Sequence, residues 1–367
     1  MIALITGANG ISGQALVEYL CSRAASEWSS IIGTSRRPAL YELNDPRIRR
    51  MTTDLMASKA EITRQLQEFG VADVTHFFHY AYVHGVDEEG QVNPWENVDM
   101  WKNTLDAVDA TCPQLQRVFL QLGIKYYGVH VRAIGDTLVE SMGRYAHPGK
   151  DIFYYPQEDY LLQLSRQRTW GWNEAMPAYV YGPSRGNGMS FGTSAAIFFT
   201  VVKFLNEEIT FPGSMELYNG VQDMSGTRAM AELETFVCTT DAAANQNFNV
   251  VDGAEVTFAQ IWKSMCTYFG VRVQTGSEWN TMDYMKNKEP VYREACARYG
   301  GNSDAFGYAT WAFFDSAFRQ RTRRSVSMEK AKEFGFEKTY DTCAELEGFF
   351  DRMRSSGDLP TIPREHA

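Results

Sequence analysis

The chain begins with a short apolar run and then changes to a helical repeat. Residues 2–5 are all apolar, too few for a helix and typical of a buried parallel strand. Ala15, Leu16, Tyr19 and Leu20 then recur at helical spacing. Several glycines separate the two patterns. This order predicts a strand, a glycine turn and a helix at the start of the fold.

The same alternation continues along the chain. Apolar and β-branched runs predict further strands at 30–34, 48–51, 74–80, 116–122, 169–174 and 247–251. Helical repeats are found at 61–69, 97–110, 195–206 and 257–269. We therefore predict an α/β fold with a Rossmann-type doubly wound parallel sheet. We expect a nucleotide-binding domain over 1–184, completed by a strand near 245–253, and a smaller, mostly helical substrate lobe over 185–367.

The turn after the first strand carries the glycines of a dinucleotide fingerprint. Gly7 permits a tight turn, Gly10 lets the backbone approach a pyrophosphate, and Gly13 lets the helix pack against the strand. The helix N-terminus adds unpaired N–H groups and a partial positive charge. An ordinary strand-to-helix turn is the alternative, but this context favours nucleotide binding.

The residues after the second strand indicate which nucleotide binds. NAD sites usually carry Asp or Glu here, to accept a hydrogen bond from the ribose 2′-hydroxyl. This chain has Ser35, Arg36 and Arg37 instead. Their donors suit a 2′-phosphate, so we expect NADPH, with solvated surface arginines as the alternative. Asp54 either caps the next turn or accepts from the adenine amino group.

Further cofactor contacts are expected beyond the carboxyl ends of the strands, where such sheets bind ligands. The complete set of expected cofactor-binding residues is Gly7, Asn9, Gly10, Ile11, Gly13, Ser35, Arg36, Arg37, Asp54, Leu55, Tyr80, Ala81, Gln121 and Val180. His76 and His79 lie on a predicted strand without metal-ligand spacing, so we expect no metal site.

Composition narrows the class of protein. Of the 367 residues, 44% are hydrophobic and 13% aromatic, which is typical of a globular chain. The net charge of −10 argues against nucleic-acid binding, and no apolar run has the length of a membrane span. A strand from residue 2 leaves no room for a signal peptide. The six cysteines form no CxxC pair, which favours a reducing, cytoplasmic setting.

Catalysis with a nicotinamide usually needs a tyrosine beside a lysine. The tyrosine hydroxyl assists the substrate oxygen, and the ammonium lowers the pKa of the tyrosine. Short-chain dehydrogenases place both on one helix as Tyr-x-x-x-Lys. The match at Tyr284 and Lys288 lies in a polar C-terminal segment, and we interpret it as chance. Two other clusters are unusual: LQLGIKYY at 120–127 and FYYPQED at 153–159.

These clusters resemble motifs of the progesterone 5β-reductase/iridoid synthase-like family, an atypical extended branch of the short-chain dehydrogenases. Residues 120–127 resemble its LQxGxKHY motif, and residues 153–159 its NFYYxxED motif. The glycine turn and the Arg36-Arg37-Pro38 segment match as well. The resemblance spans nearly the whole chain.

The resemblance implies a mechanism whose tyrosine and lysine come from separate segments. It assigns the lysine to Lys125 and the tyrosine to Tyr155. NADPH would deliver hydride to the β-carbon of an enone or to a carbonyl carbon. Tyr155 would hydrogen-bond the substrate oxygen and stabilise the enolate or alkoxide, while Lys125 would hold the nicotinamide ribose. The alternative role for Tyr155 is a buried aromatic anchor, a role that we expect Tyr154 to fill.

Some positions depart from the family pattern. Ile152 replaces an asparagine, Tyr126 a histidine, Leu122 a hydroxyl residue and Met176 an arginine. These changes lie near the nicotinamide or the substrate, so the substrate and the choice between 1,4 and 1,2 reduction stay open. We expect a bulky apolar small molecule such as a terpenoid, steroid-like or polyketide compound. The expected pocket lining is Tyr80, Tyr82, Tyr127, Tyr181 and residues 190–204.

Two other functions stay open. A nucleotide-sugar epimerase or dehydratase on the same extended fold would hold NAD(P) tightly and consume none; the Arg36-Arg37 pair and the missing Tyr-x-x-x-Lys argue against it. A non-catalytic NADP-sensing regulator would bind cofactor without turnover; the presence of Lys125 and Tyr155 argues against it. A homodimer is an expectation from the family alone.

Overall fold

The computed structural model describes residues 1–36, 43–83, 85–86, 92–135, 137–145, 152–185, 189–274, 276, 278–320 and 325–363. Arg37, one of the expected cofactor contacts, lies outside these residues. The strands described are β1 (Ile2–Thr6), β2 (Ser30–Ser35), β3 (Ile48–Thr52), β4 (His76–His79), β5 (Gly85–Val86), β6 (Val92–Asn93), β7 (Arg117–Gln121), β8 (Gly171–Pro177), β9 (Tyr179–Tyr181), β10 (Glu208–Ile209), β11 (Met224–Gly226), β12 (Gln246–Val250) and β13 (Arg272–Val273).

The α-helices of the same residues differ in how they begin, and some have a polar side chain as the cap. They are α1 (Ile11–Ser22), α2 (Lys59–Phe69), α3 (Glu96–Thr111), α4 (Tyr154–Ser165), α5 (Phe191–Leu205), α6 (Met215–Asn219), α7 (Thr227–Thr239), α8 (Phe258–Phe269), α9 (Thr281–Met285), α10 (Glu289–Tyr299), α11 (Trp311–Ser316), α12 (Glu329–Glu333) and α13 (Thr342–Ser355). The Ser58 side chain accepts from the backbone of Glu61 before α2, and Thr257 and Gln260 form a capping box before α8.

The main sheet is parallel and has seven strands in the order β12-β8-β7-β4-β1-β2-β3. From β1 the chain moves outward to β2 and β3, then crosses back to β4 and continues in the other direction. The direction of winding therefore reverses between β1 and β4. Thr6 and His79 are register partners at the carboxyl ends of these two strands. Ligands of doubly wound sheets bind at this reversal point.

This topology confirms the predicted fold class, and each predicted strand overlaps an observed one. Helix α4 begins at Tyr154, so Tyr154 and Tyr155 lie on its first turn. Pro156 is tolerated there because the first N–H groups of a helix have no intrahelical partner. The short strand β9 was not predicted; it pairs with β11 outside the main sheet.

The apolar side chains pack into two clusters. One surrounds the main sheet and contains Phe77, Phe119 and Phe248, while the other fills the helical C-terminal part around Phe198 and Trp262. Strand β12 extends the sheet, and α7 packs on α1, so the second half of the chain contributes to the main sheet and to the helices that cover it. The boundary at residue 184 stays a prediction.

Candidate active site

A cleft of about 1110 Å³ opens at the carboxyl ends of β1 and β4. One wall is formed by the glycine turn and the ends of β2 and β3. The other is formed by the end of β7, the start of α4 and segments of the C-terminal half. All expected cofactor-binding residues that the structure describes line this cleft, except Gly13.

The glycines of the turn have no side chain, and this allows the backbone to turn tightly. Gly7 has φ of 66°, in the left-handed region that favours glycine. A Cβ on Gly7 would also lie 2.8 Å from the carbonyl carbon of Tyr80 and 2.8 Å from the nitrogen of Ala81. A Cβ on Gly13 would collide with the carbonyl oxygen of Gly7. Gly13 therefore acts behind the cleft, by letting α1 pack against the turn.

The first turn of α1 faces the cleft with unused hydrogen-bond donors. Gly10 offers no side-chain cap, in contrast to Ser58 before α2. The Ser12 hydroxyl is buried and has no hydrogen-bond partner among the described residues. Unpaired donors beside the glycines of this turn fit the phosphates of a dinucleotide.

The end of β2 offers the donors that a 2′-phosphate requires. Asn9 Nδ2 donates to Ser35 Oγ over 3.0 Å, which ties the glycine turn to this strand. Arg36 lines the cleft with an exposed side chain. Asp54 Oδ1 accepts from the backbone N–H of Met56 at 3.1 Å, so Asp54 caps its turn, one of its two expected roles.

The middle of the cleft contains a buried amide oxygen that lacks a donor. Gln121, the last residue of β7, lines the cleft, and its Oε1 has no hydrogen-bond partner within the described part of the chain. Buried polar atoms are normally paired, so this oxygen fits a hydroxyl of a bound ribose. Ala81 and Val180 add apolar surface on either side.

Lys125 and Tyr154 line the cleft from two neighbouring elements. Lys125 lies on a single 3₁₀ turn, Ile124–Tyr127, directly after β7, and desolvation lowers its pKa. Tyr154 opens α4 and also lines the cleft. Tyr154 is partly buried, and its expected role as an aromatic anchor stays a prediction.

Tyr155 lies on the flank of the cleft and is not among its lining residues. Its hydroxyl donates to the carbonyl oxygen of Tyr126 at 2.6 Å and accepts from the backbone N–H of Tyr145 at 2.8 Å. The Arg144 guanidinium lies 5.2 Å from the Tyr155 ring centroid. The Tyr155 hydroxyl is thus engaged with the backbone, at Tyr145 and at Tyr126, the residue after Lys125.

A polar network fixes α4 on the same flank. The hydroxyl of Tyr126 donates to the two oxygens of Glu158 at 3.1 and 3.2 Å, and Arg144 Nε donates to Glu158 at 2.5 Å. Glu174 is fully buried nearby, and burial together with Glu158 raises its pKa. Tyr126, which stands where the family motif has histidine, therefore anchors α4 to the Lys125 turn.

The far wall of the cleft comes from segments that sequence reasoning missed. Its residues include His130, Arg132, Tyr179, Arg185, Met189, Phe313 and Arg319. Arg185 pairs with Asp358 at 2.9 Å, and Arg319 pairs with Asp315 at 2.9 Å. These residues lie in loops and short elements, where no periodic pattern signals that a side chain faces a ligand.

Several residues expected to line the substrate pocket belong to the core instead. Tyr127 and Tyr181 are 1% and 2% exposed, and both hydroxyls are bonded to buried side chains. Helix α5, which covers most of 190–204, is apolar around most of its circumference and is buried accordingly. Tyr80 and Tyr82 do line the cleft.

The Tyr-x-x-x-Lys match is remote from this site. Tyr284 and Lys288 are not among the cleft-lining residues. The Tyr284 hydroxyl donates to Glu207 at 2.5 Å, and the Lys288 ammonium lies 4.6 Å from the Tyr284 ring centroid. Both side chains thus have structural roles.

The described residues contain no group of three or more His, Cys, Asp or Glu side chains that could hold a metal ion. Within those residues, no helix combines the length and apolarity needed to cross a bilayer. None of the six cysteines forms a disulfide.

Comparison with protein families gives a match over almost the whole chain. The family described as PRISE-like Rossmann-fold domain matches residues 3–360. The chain is 31% identical over 378 residues to the short chain dehydrogenase gsfE of Penicillium aethiopicum, covering 98% of this chain and 99% of that protein. It is 26% identical over 372 residues to (S)-8-oxocitronellyl enol synthase of Catharanthus roseus, covering 98% and 92%.

Solved structures share the fold at low identity. UDP-glucose 4-epimerase of Thermus thermophilus, solved with NAD, superposes with a TM-score of 0.64 at 17% identity, covering 97% of this chain and 100% of that one. UDP-glucuronic acid 4-epimerase of Bacillus cereus, also solved with NAD, gives 0.66 at 12% identity, covering 98% and 100%. At these identities the likeness concerns the fold.

Proposed function

Because the chain belongs to the PRISE-like Rossmann-fold family of short-chain dehydrogenases/reductases, we propose that it is an NADPH-dependent reductase. The proposed substrate is an enone, reduced at its β-carbon, or a ketone, reduced at its carbonyl carbon. The observation that carries the proposal is one cleft that joins the glycine turn, Lys125 and a tyrosine hydroxyl.

The residues around the cleft support NADPH as the cofactor. When bound, NADPH supplies the hydride. The uncapped start of α1 and the Ser12 hydroxyl would hold its pyrophosphate, and Gln121 would accept from a ribose hydroxyl. Ser35 and Arg36 would hold the 2′-phosphate. The last of these contacts distinguishes NADPH from NADH.

The reaction needs a donor for the substrate oxygen, which gains negative charge. One hydroxyl of the Tyr154 and Tyr155 pair would donate that hydrogen bond; the family resemblance favours Tyr155. The Lys125 ammonium would hold the nicotinamide ribose and add positive charge beside the developing oxyanion. Because desolvation lowers the pKa of Lys125, its charge is sensitive to what fills the cleft.

The far half of the cleft supports a bulky apolar substrate, such as a terpenoid, steroid-like or polyketide compound. Tyr82, Phe153, Tyr179 and Phe313 place aromatic surface there. Aromatic surface is typical of sites for such molecules, and the polar side chains of the same wall, among them His130 and Arg132, would contact polar groups of the substrate. A cytosolic location belongs to the same proposal, since none of the six cysteines forms a disulfide.

The alternatives make different predictions about the cofactor. Epimerases share the fold, but at 12 to 17% identity this carries no statement about the reaction. An epimerase would retain NAD(P) and show no net consumption of it. A sensor would bind NADPH and consume none with any substrate.

NADPH consumption, followed by nicotinamide absorbance, tests the proposal. The panel consists of progesterone, cyclohexenone, an unsaturated dialdehyde and cyclohexanone, with NADH run in parallel. We expect enone-dependent oxidation of NADPH and a saturated carbonyl product. Oxidation with cyclohexanone alone would establish carbonyl reduction. Binding of NADPH without oxidation across the panel contradicts the proposal and favours the sensor, and a preference for NADH contradicts the assignment of Arg36.

A further inference from the structure

The cleft is basic, although the chain as a whole carries a net charge of −10. Among the described residues that line it, the only carboxylate is Asp54. The cationic side chains of the same lining are Arg36, Lys125, Arg132, Arg185 and Arg319. A cleft lined by one sign of charge attracts ligands of the opposite sign. The proposed cofactor accounts for part of this charge, and the other cations indicate what else the cleft binds.

Two of these cations are neutralised within the protein. Arg185 pairs with Asp358 at 2.9 Å, and Arg319 pairs with Asp315 at 2.9 Å. Both carboxylates are largely buried and neither lines the cleft, so each pair adds little charge to it. The two cations proposed to hold NADPH have a role already. Arg132 is therefore the cation of the lining that has no carboxylate assigned to it.

The contacts of Arg132 leave most of its hydrogen-bond donors unused. Within the described residues, its guanidinium lies 4.3 Å from the ring centroid of Tyr145, and its Nη2 lies 3.5 Å from the carbonyl oxygen of Tyr127. Neither partner is a carboxylate. A guanidinium has five N–H donors, and contact with a ring face uses its charge rather than these donors. The exposed Arg132 side chain can therefore donate to a ligand in the cleft.

The backbone after the Lys125 turn holds Arg132 in this place. The turn ends at Gly128, whose φ of 78° lies in the left-handed region. The Gly128 carbonyl oxygen accepts from the N–H groups of Val131 and Arg132 at 3.0 and 3.1 Å. A Cβ on Gly128 would collide with the ring of Tyr145. The glycine thus lets this ring pack against the turn, and the guanidinium lies over the ring.

Arg132 lies on the side of the cleft where the reaction is proposed. The backbone N–H of Tyr145, whose ring contacts Arg132, donates to the Tyr155 hydroxyl at 2.8 Å. Desolvation raises the pKa of Tyr155, and the charge of Arg132 is among the weaker influences that oppose this shift. The glycine turn that would hold the pyrophosphate forms the other wall. An anion at Arg132 would therefore belong to the substrate and not to the cofactor.

We propose that the substrate carries a carboxylate and that Arg132 is the specificity-determining residue that binds it. This inference rests on the proposed reductase function and narrows its substrate class to enones or ketones with an acidic group. A guanidinium and a carboxylate match in shape, because two parallel N–H groups can donate to the two oxygens. One unneutralised guanidinium also matches one negative charge, which favours a carboxylate over a phosphate dianion.

The apolar part of such a substrate strengthens the contact with its acidic group. In the empty cleft Arg132 is exposed, and an ion pair in water is weak. A bulky substrate against the aromatic surface of Tyr82 and Phe313 would displace water from the wall and lower the local dielectric. Removal of the guanidinium would then leave the bound carboxylate without a partner. We therefore expect acidic ligands to lose affinity and neutral ligands of the same shape to keep it.

A matched pair of probes tests this inference without turnover. 2-Naphthoate and 2-naphthamide have nearly the same shape and differ in charge. Isothermal titration of each into the NADP⁺ complex of the full chain should show about 10-fold tighter binding of the naphthoate. Arg132→Gln should bind the two probes equally, with Tm, NADPH affinity and naphthamide affinity unchanged. If the parent does not prefer the naphthoate, or does not bind it, the proposal is wrong.

Control variants separate the Arg132 contact from the general charge of the protein. Arg64→Gln removes an exposed arginine of α2 and should keep the full preference for the naphthoate. Tyr145→Leu removes the ring under the guanidinium and should reduce the preference about 3-fold. A preference that persists in Arg132→Gln, or that falls equally in Arg64→Gln, overturns the assignment. A loss of NADPH affinity in Arg132→Gln would place the guanidinium on the cofactor and overturns it as well.

Turnover of a matched pair of enones distinguishes this inference from the proposed function. The pair is 5-carboxycyclohex-2-enone and its 5-carboxamide, in which the acidic group is remote from the conjugated bonds. The parent should reduce the acid with about 10-fold higher kcat/KM, mainly through KM, and Arg132→Gln should reduce both equally. If neither enone is reduced while the naphthoate preference depends on Arg132, the reductase proposal alone fails. Equal kcat/KM of acid and amide in the parent contradicts the carboxylate inference alone.

Discussion

The Tyr80 hydroxyl donates a 2.5 Å hydrogen bond to Oε2 of Glu234. Tyr80 lines the cleft at the end of β4, while Glu234 lies on α7 and is 1% exposed. Burial raises the pKa of Glu234 from 4.5 to about 8, although the Tyr80 hydrogen bond opposes the shift. The second carboxyl oxygen, Oε1, has no partner among the described residues. A protonated carboxyl therefore supports the floor of the cleft at neutral pH.

This proton links stability to pH. Folded Glu234 keeps a proton that the unfolded chain releases above pH 4.5, so the free energy of unfolding falls as pH rises from about 4.5 to about 8. The slope from this group is at most about 1.4 kcal/mol per pH unit. Glu234→Gln keeps the shape without the titration, so we expect its Tm to exceed that of the parent at pH 8 and its pH dependence to be flatter. Parallel Tm curves for the two proteins between pH 5 and 8 would contradict this assignment.

Alanine at two glycines of the turn should weaken the protein to different degrees. A Cβ on Gly13 collides with the Gly7 carbonyl oxygen, whereas one on Gly10 lies 3.1 Å from the same atom. Gly13→Ala should therefore push α1 off the turn, lower Tm and abolish measurable NADPH binding. Gly10→Ala should lower Tm less, because a smaller shift relieves the contact. Isothermal titration with NADPH and thermal melts of both variants test the order, and an equal loss in the two would falsify this account.

Arg36, at the end of β2, is expected to select NADPH over NADH. Arg36 is exposed at the cleft, where a 2′-phosphate would add a charge-assisted contact. Arg36→Ala should weaken NADPH binding about 10-fold and leave NADH binding unchanged. Arg64→Ala, which removes an exposed arginine of α2 paired with Glu61 and Glu68, is the matched control for net charge. A comparable loss of NADPH affinity in the control would mean that the effect is long-range electrostatics.

Local patterns in the sequence were sufficient to predict the strands of the main sheet and the glycine turn. The apolar run at residues 2–5 and the left-handed conformation at Gly7 both follow from residue types that stand together in one short segment. The sequence pattern does not indicate where α4 begins, because Phe153 to Pro156 has no helical repeat. The start of this helix is held by contacts such as that of the Tyr155 hydroxyl with the Tyr126 carbonyl oxygen. The burial of aromatic residues was harder to predict than the start of a helix.

Tyr127 and Tyr181 illustrate why burial was misjudged. Both follow sheet strands closely, as Tyr80 does, but their hydroxyls find partners in the core, Asn249 and Asp252. Those partners are more than 70 positions away in the chain, so the sequence pattern holds no sign of them. The same distance in sequence explains why Arg132 and Arg319 were missed on the far wall of the cleft.

The lowered pKa of Lys125 predicts how NADPH affinity changes at alkaline pH. Desolvation lowers its pKa, so Lys125 loses its charge at a lower pH than an ordinary lysine, and NADPH affinity should decline as pH rises through that range. Lys125→Met keeps a long side chain without the charge, so it should bind NADPH more weakly at neutral pH and show no such decline. Lys102→Met, on the surface of α3 near the Tyr160 ring, is the control and should retain the parent profile. Titration of intrinsic fluorescence with NADPH from pH 7 to 10 measures all three proteins. If Lys125→Met keeps the same alkaline decline, another group carries the titration and the ammonium does not hold the cofactor.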